Sequence, residues 1–149
     1  MIEPSKITGK NVLIIGCPAS GKTHLSNALK TYDTHKVIHT DDYMCYGYKE
    51  SLYVLLRALP SVKSNTIIEG IQGYRLLRKG VELNSYYPDI VIELFISEAR
   101  MIKTYREQRQ MKKIESLFAF NNMHNKILND YFRMPNRRKP EWIKINNEY

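Results

Sequence analysis

The chain lacks membrane-spanning length: no apolar run approaches the roughly 20 residues that cross a bilayer, and Met1-Ile2-Glu3-Pro4-Ser5-Lys6 has none of the apolar core of a signal peptide. A soluble protein without a membrane partner, located in the cytoplasm, is the expectation. Cysteine is almost missing too. Cys17 and Cys45 are too few for a disulfide framework or a cysteine zinc site, and both are expected to be reduced. His24, His35, His39 and His124 show no metal-ligand spacing, and no serine, cysteine or histidine arrangement suggests a hydrolase triad, so the histidines default to structural roles. Internal repeats, low-complexity tracts and an interdomain linker are absent. The 149 residues, 43% hydrophobic, fit one domain over 1–149 with a sizeable core. Acid is the scarce charge, 15 Asp and Glu against 23 Lys and Arg for a net +8. The imbalance sits almost wholly after residue 99. That basic third can attract a nucleic-acid backbone, surround a triphosphate, or form a solvated helical face.

What is present begins with Gly16, Cys17, Pro18, Ala19, Ser20, Gly21, Lys22 and Thr23, which spell G-x-x-x-x-G-K-T directly after the apolar run Asn11-Val12-Leu13-Ile14-Ile15. A strand leading into such a loop predicts a nucleoside-triphosphate site. The glycines let backbone N–H groups close around phosphate, Lys22 reaches the β- and γ-phosphates, and the Thr23 hydroxyl ligates Mg²⁺. Thr23 to Lys30 then reads as a helix whose positive end faces the phosphates.

Along the chain, strand candidates Asn11 to Ile15, Lys36 to His39, Thr66 to Glu69, Ile90 to Ile96 and Trp142 to Ile145 alternate with helical patterns. The helices are expected at Thr23 to Lys30, Lys49 to Leu59, about Tyr74 to Lys79, Glu98 to about Lys113, and Ile114 to Phe132. This alternation predicts an α/β fold, a parallel sheet with helices on both faces. In the last helix, Leu117, Phe120, Met123, Ile127, Leu128, Tyr131 and Phe132 recur near helical spacing and read as core. The basic stretch Met134 to Pro140 is expected to join that helix to the last strand.

Carboxylates cluster where a parallel sheet opens its crevice, at the carboxyl ends of strands. Asp41 and Asp42 follow the second strand. Asp41 can orient and deprotonate an acceptor hydroxyl, and either residue can instead cap the following turn. Glu69 closes the third strand before Gly70 and can hold the Mg²⁺ shell or stand as a simple charged strand end. Arg75, in the next helix, can bind the acceptor or lie on the surface. Arg100, Lys103, Arg106 and Arg109 share one helical face, and Arg106 and Arg109 are candidates to offset charge on a transferring phosphoryl group. Tyr43, Tyr46, Tyr48 and Tyr53, among eleven tyrosines, can stack on a base or pack in the core.

These residues together resemble the small P-loop kinases, in particular the kinase domain of bacteriophage polynucleotide kinase, over most of residues 11 to 113. The landmarks are Ile15 through Thr23, Asp41-Asp42-Tyr43, the strand-end Glu69 and the arginine-bearing helix after Ile90 to Ile96. The resemblance implies a five-stranded P-loop NTPase sheet in the order 2-3-1-4-5, ATP and Mg²⁺ as cofactors, Asp41 as base, acceptor contacts near Asp42 and Tyr43, and a lid carrying Arg106 and Arg109. Thr40 and Met44 stand where that enzyme carries arginines. Also similar are phage kinases that phosphorylate 5-hydroxymethyl pyrimidines in DNA. The implied activity is transfer of the γ-phosphoryl group to a hydroxyl of DNA or a nucleotide. Alternatives are a kinase of a free nucleoside or other small metabolite, and an ATPase switch, although no apolar strand ends in the Asp-Glu pair many such ATPases use.

Overall fold

Val12, Leu13, Ile14 and Ile15 are all fully buried, which is possible only where both faces of a strand are covered. They belong to β1 (Val12–Gly16) of a computed structural model that describes residues 4–16, 20–30, 36–59, 66–107, 114–135 and 138–146. The other strands are β2 (Lys36–His39), β3 (Thr66–Glu69), β4 (Ile90–Phe95) and β5 (Glu141–Asn146). All neighbours pair in parallel, in the order β2-β3-β1-β4-β5. Helices α1 (Lys22–Lys30), α2 (Tyr48–Ala58), α3 (Gly73–Glu82), α4 (Glu98–Glu107) and α5 (Ile114–Arg133) supply the connections. The expected topology is therefore the observed one.

Successive strand residues point to opposite faces, and two cores result. On one face Leu13, Ile15, Ile68 and Val91 pack with Leu52 and Leu55 of α2, Leu76 and Leu77 of α3, and Leu128 and Tyr131 of α5. On the other, Val12, Ile14, Ile67, Ile90, Ile92 and Leu94 pack with Leu29 of α1 and with Ile7. Full burial of each such side chain contributes roughly 1.5–3 kcal/mol. Glu93, the polar break in β4, accepts a hydrogen bond from Trp142 Nε1 of β5 at 3.1 Å.

Three local features differ from the sequence reading. A seven-residue 3₁₀ segment, Thr40–Tyr46, follows β2 and ends at Gly47 before α2 begins. Helix α3 runs three residues past Lys79, through Gly80, where any side chain would come within 2.6 Å of the Tyr86 carbonyl oxygen. In α5 the buried stripe is His124, Leu128 and Tyr131, whereas Met123 and Phe132 are exposed. Met123 and His124 are adjacent and diverge by about 100° around the helix, so only one can face the core. The Leu117 side chain lies outside the described residues.

Candidate active site

With every strand parallel, Gly16, His39, Glu69 and Phe95 end β1 to β4 on one edge of the sheet, where α/β proteins place ligands. Lys22 opens α1 beside this edge. Its Nζ donates to the Gly16 carbonyl at 2.9 Å, and the residue is 7% exposed, so the ammonium is held at the carboxyl end of β1. No acidic residue in the first turn of α1 offsets the positive end of the helix. Gly16 ends β1 and Ser20 and Gly21 precede α1; Cys17, Pro18 and Ala19 lie outside the described residues.

Next to Lys22, the Thr23 hydroxyl donates to Glu69 Oε1 at 3.3 Å, and His39 Nδ1 donates to the same oxygen at 2.5 Å. Glu69 is buried, 2% exposed, and a carboxylate in that position is held by these donors. Thr23 and Glu69 thus present two hard oxygen donors side by side. That is a fitting protein share for Mg²⁺, which keeps several waters and usually takes one or two protein oxygens plus phosphate. His39 was expected to be structural. The signal that finds it is register: His39 pairs with Glu69, and both are the last residues of their strands.

Asp41 and Asp42 are exposed in the first turn of the 3₁₀ segment. Asp42 and Tyr43 line a cavity of about 240 Å³ together with Lys36, Val37, Ile38, His39 and Ala58, against edge strand β2. A larger cavity of about 490 Å³ lies between the 3₁₀ segment and α5, lined by Met44, Tyr48, Ile71, Ala119, Phe120 and Met123. Its wall is almost entirely apolar and aromatic. Thr40 and Met44 take different places here. Thr40 is fully buried against Gly70, whose φ of +135° and lack of a side chain allow the contact, and its hydroxyl accepts from Gln72 N at 3.3 Å. Met44 faces the cavity.

A polar cluster fixes that wall from behind. Gln72, fully buried, donates through Nε2 to Tyr48 O at 2.8 Å and Ser51 Oγ at 2.7 Å. Arg75 Nη1 donates to Tyr48 O at 2.7 Å and Gln72 Oε1 at 3.0 Å, and its guanidinium lies 4.6 Å from the Tyr48 ring centroid. Arg75 therefore ties α3 to the start of α2 beneath the cavity. Of the four clustered tyrosines, Tyr48 lines the cavity, Tyr43 packs on the core, and Tyr46 and Tyr53 are exposed.

The least anticipated residue is His124. It is 1% exposed, stacked on Tyr74 with centroids 4.2 Å apart, and edge-on to Phe120 at 5.0 Å. Burial, and secondarily the nearby Lys22 ammonium, lowers its pKa to about 4. On α4, Lys103 pairs with Glu107 at 3.9 Å on the surface. The Arg106 side chain and Arg109 lie outside the described residues.

No protein-family model and no curated protein matches the chain. Solved structures do. Shikimate kinase from Acinetobacter baumannii in complex with shikimate is similar with a TM-score of 0.63 at 16% identity, covering 97% of this chain and 87% of that one. The chain has the P-loop kinase fold. Deoxyadenosine kinase from M. mycoides with bound dCTP gives 0.58 at 14% identity over 93% of this chain and 91% of that chain. The YorR protein from Bacillus subtilis in complex with phosphorylated GDP gives 0.59 at 12%, over 92% and 85%. This shared fold is the setting for Lys22, Thr23 and Glu69. Among the described residues, no helix is long and apolar enough to cross a membrane.

Proposed function

We propose that this chain is a kinase that uses ATP and Mg²⁺ to phosphorylate a hydroxyl of a nucleoside or nucleotide. The observation that carries the reading is the Lys22 ammonium, held on the Gly16 carbonyl beside the Thr23–Glu69 oxygen pair at the carboxyl edge of the sheet. Lys22 and the loop amides of residues 16–23 bind the phosphates and offset charge on the transferring group. Thr23 and Glu69 would hold Mg²⁺, which supplies charge neutralisation at the β- and γ-phosphate oxygens when bound. Asp41 accepts the acceptor hydroxyl proton as its oxygen bonds to γ-phosphorus and the bond to the bridging oxygen breaks, leaving ADP. Arg106 and Arg109 are assigned to the lid, and Asp42, Tyr43 and Arg75 to the acceptor side, Arg75 by fixing the cavity wall.

The acceptor class follows from the cavity of about 490 Å³. Met44, Tyr48, Ile71 and Phe120 offer flat, apolar surface suited to a base and unsuited to a small polyhydroxylated acid. The two nucleotide-liganded neighbours, a deoxyadenosine kinase and a protein crystallised with phosphorylated GDP, are in keeping with this. The basic final third favours a second reading, in which the base or the 5′-hydroxyl end belongs to DNA, as in the phage kinases that the sequence resembles. The test is transfer of labelled γ-phosphate from ATP to free nucleosides and nucleotides, to 5′-hydroxyl oligonucleotide and to 5-hydroxymethyl-pyrimidine DNA. Label on free compounds upholds the first reading, and label confined to DNA upholds the second. ATP hydrolysis with no labelled acceptor points to a switch.

A further inference from the structure

Glu69 can serve a metal only if its carboxylate is held in one direction, and a glutamate is among the side chains with most rotamer freedom to lose. Ligating carboxylates are for this reason hydrogen-bonded in their turn, and removing such an outer partner typically costs about 10–100-fold in metal affinity. The partner here is His39. Its Nδ1 donates to Glu69 Oε1 at 2.5 Å, the same oxygen that accepts from the Thr23 hydroxyl at 3.3 Å. This contact is set by the sheet and not by a loop: His39 and Glu69 are register partners in β2 and β3, so their side chains leave the same face on strands about 4.8 Å apart. His39 keeps extended backbone, φ −94° and ψ 116°, although the 3₁₀ segment begins at the next residue. The residues that follow lock the two strand ends together. Thr40 is fully buried against Gly70, where any side chain would collide with the Thr40 hydroxyl. The pair also differs in depth, the Glu69 side chain being 3% exposed and that of His39 31%, at the rim of the cavity shared with Lys36 and Asp42. Packing at that rim would be served by any flat ring, whereas the buried carboxylate needs a donor.

We propose that His39 is the positioning residue of the metal site: its Nδ1–H fixes the direction of the Glu69 carboxylate beside the Thr23 hydroxyl, and so sets how tightly nucleotide is held in the presence of Mg²⁺. This rests on the ATP and Mg²⁺ part of the reading above and not on the identity of the acceptor. His39 acts through Glu69 and takes no part in the transfer itself. A donor that merely satisfied a buried carboxylate would act on stability; one that orients it acts on the metal.

His39→Phe keeps a flat ring and removes the donor; His39→Asn loses the ring but carries a donor nitrogen on Cγ, as Nδ1 is carried. The measurement is the affinity of a fluorescent ATP analogue for the wild type and both variants, titrated in EDTA and again in Mg²⁺ with no acceptor present. The wild type is expected to bind more tightly in Mg²⁺. In His39→Phe binding in Mg²⁺ is expected to weaken about tenfold, while the affinity in EDTA stays within about twofold of wild type and shows that the variant is folded. In His39→Asn most of the Mg²⁺-dependent gain is expected to return. A packing role gives the reverse order, with His39→Phe neutral and His39→Asn impaired. An unchanged gain in His39→Phe, an equal loss in both variants, or a wild type indifferent to Mg²⁺ overturns the proposal. If the wild type shows the gain but phosphorylates no nucleoside, the acceptor reading fails alone and the order of the two variants still decides the role of His39. A wild type that binds no analogue in either condition overturns both.

Discussion

The phosphate side and the acceptor side of this site are built on opposite principles. On the phosphate side a cation, a hydroxyl and a buried carboxylate stand within one or two hydrogen bonds of one another: Lys22 on Gly16, Thr23 and His39 on Glu69. On the acceptor side the polar groups point away from the cavity. Gln72 and Arg75 spend their hydrogen bonds on Tyr48, Ser51, the Met44 sulfur and each other, leaving Met44, Tyr48 and Phe120 as the surface. On the proposed reading, the first region binds charge common to every nucleoside triphosphate, and the second takes the acceptor.

Asp41 is exposed in the 3₁₀ segment after β2, and if it is the proposed base its replacement by asparagine should give the largest effect: transfer falls about 10²–10⁴-fold while ATP binding, followed by fluorescence of a labelled analogue, is retained. Loss of both would move Asp41 to the phosphate side. Lys22→Ala strikes the phosphate side alone, and an about 10²–10³-fold loss of transfer is expected, with nucleoside binding by calorimetry preserved.

The buried imidazole of α5 has its own signature in stability. His124 has a folded pKa of about 4 against an ordinary 6.5, so between those values the unfolded chain binds the extra proton. Stability is present above pH 6.5 and lost as pH falls toward 4, by about 3 kcal/mol over the full span. Urea unfolding at pH 7 and pH 4.5 checks this, and His124→Phe should flatten that part of the profile. Glu69→Gln should have the smallest effect of the four, raising the Mg²⁺ concentration needed for half-maximal rate about 10–100-fold. No change would remove Glu69 from the metal's surroundings.

The same contrast decides what could be read from the sequence. Strand β1 and helix α1 were legible because they are contiguous, one directly before and one directly after the G-x-x-x-x-G-K-T spacing. Strand order was legible through family resemblance, and burial through the continuous apolar runs of β1 and β4. The acceptor side brings together Met44, Tyr48, Ile71 and Phe120 from segments up to about 75 residues apart, and no spacing along the chain announces that meeting. His124 was hidden for a different reason. Apolar periodicity selected Met123, one residue away, and a histidine on the buried stripe does not count toward an apolar pattern. His39 could have been found from strand register with Glu69, since both close adjacent parallel strands.

The central claim is that a prepared phosphate side faces an apolar acceptor cavity, and a crystal structure with Mg²⁺, a non-hydrolysable ATP analogue and a 2′-deoxynucleoside tests it most directly. The expected result has the triphosphate on residues 16–23, Lys22 Nζ moved from the Gly16 carbonyl to phosphate, the metal beside Thr23 and Glu69, and the base between Met44 and Phe120. A base bound elsewhere, or a metal remote from Thr23 and Glu69, would contradict the account.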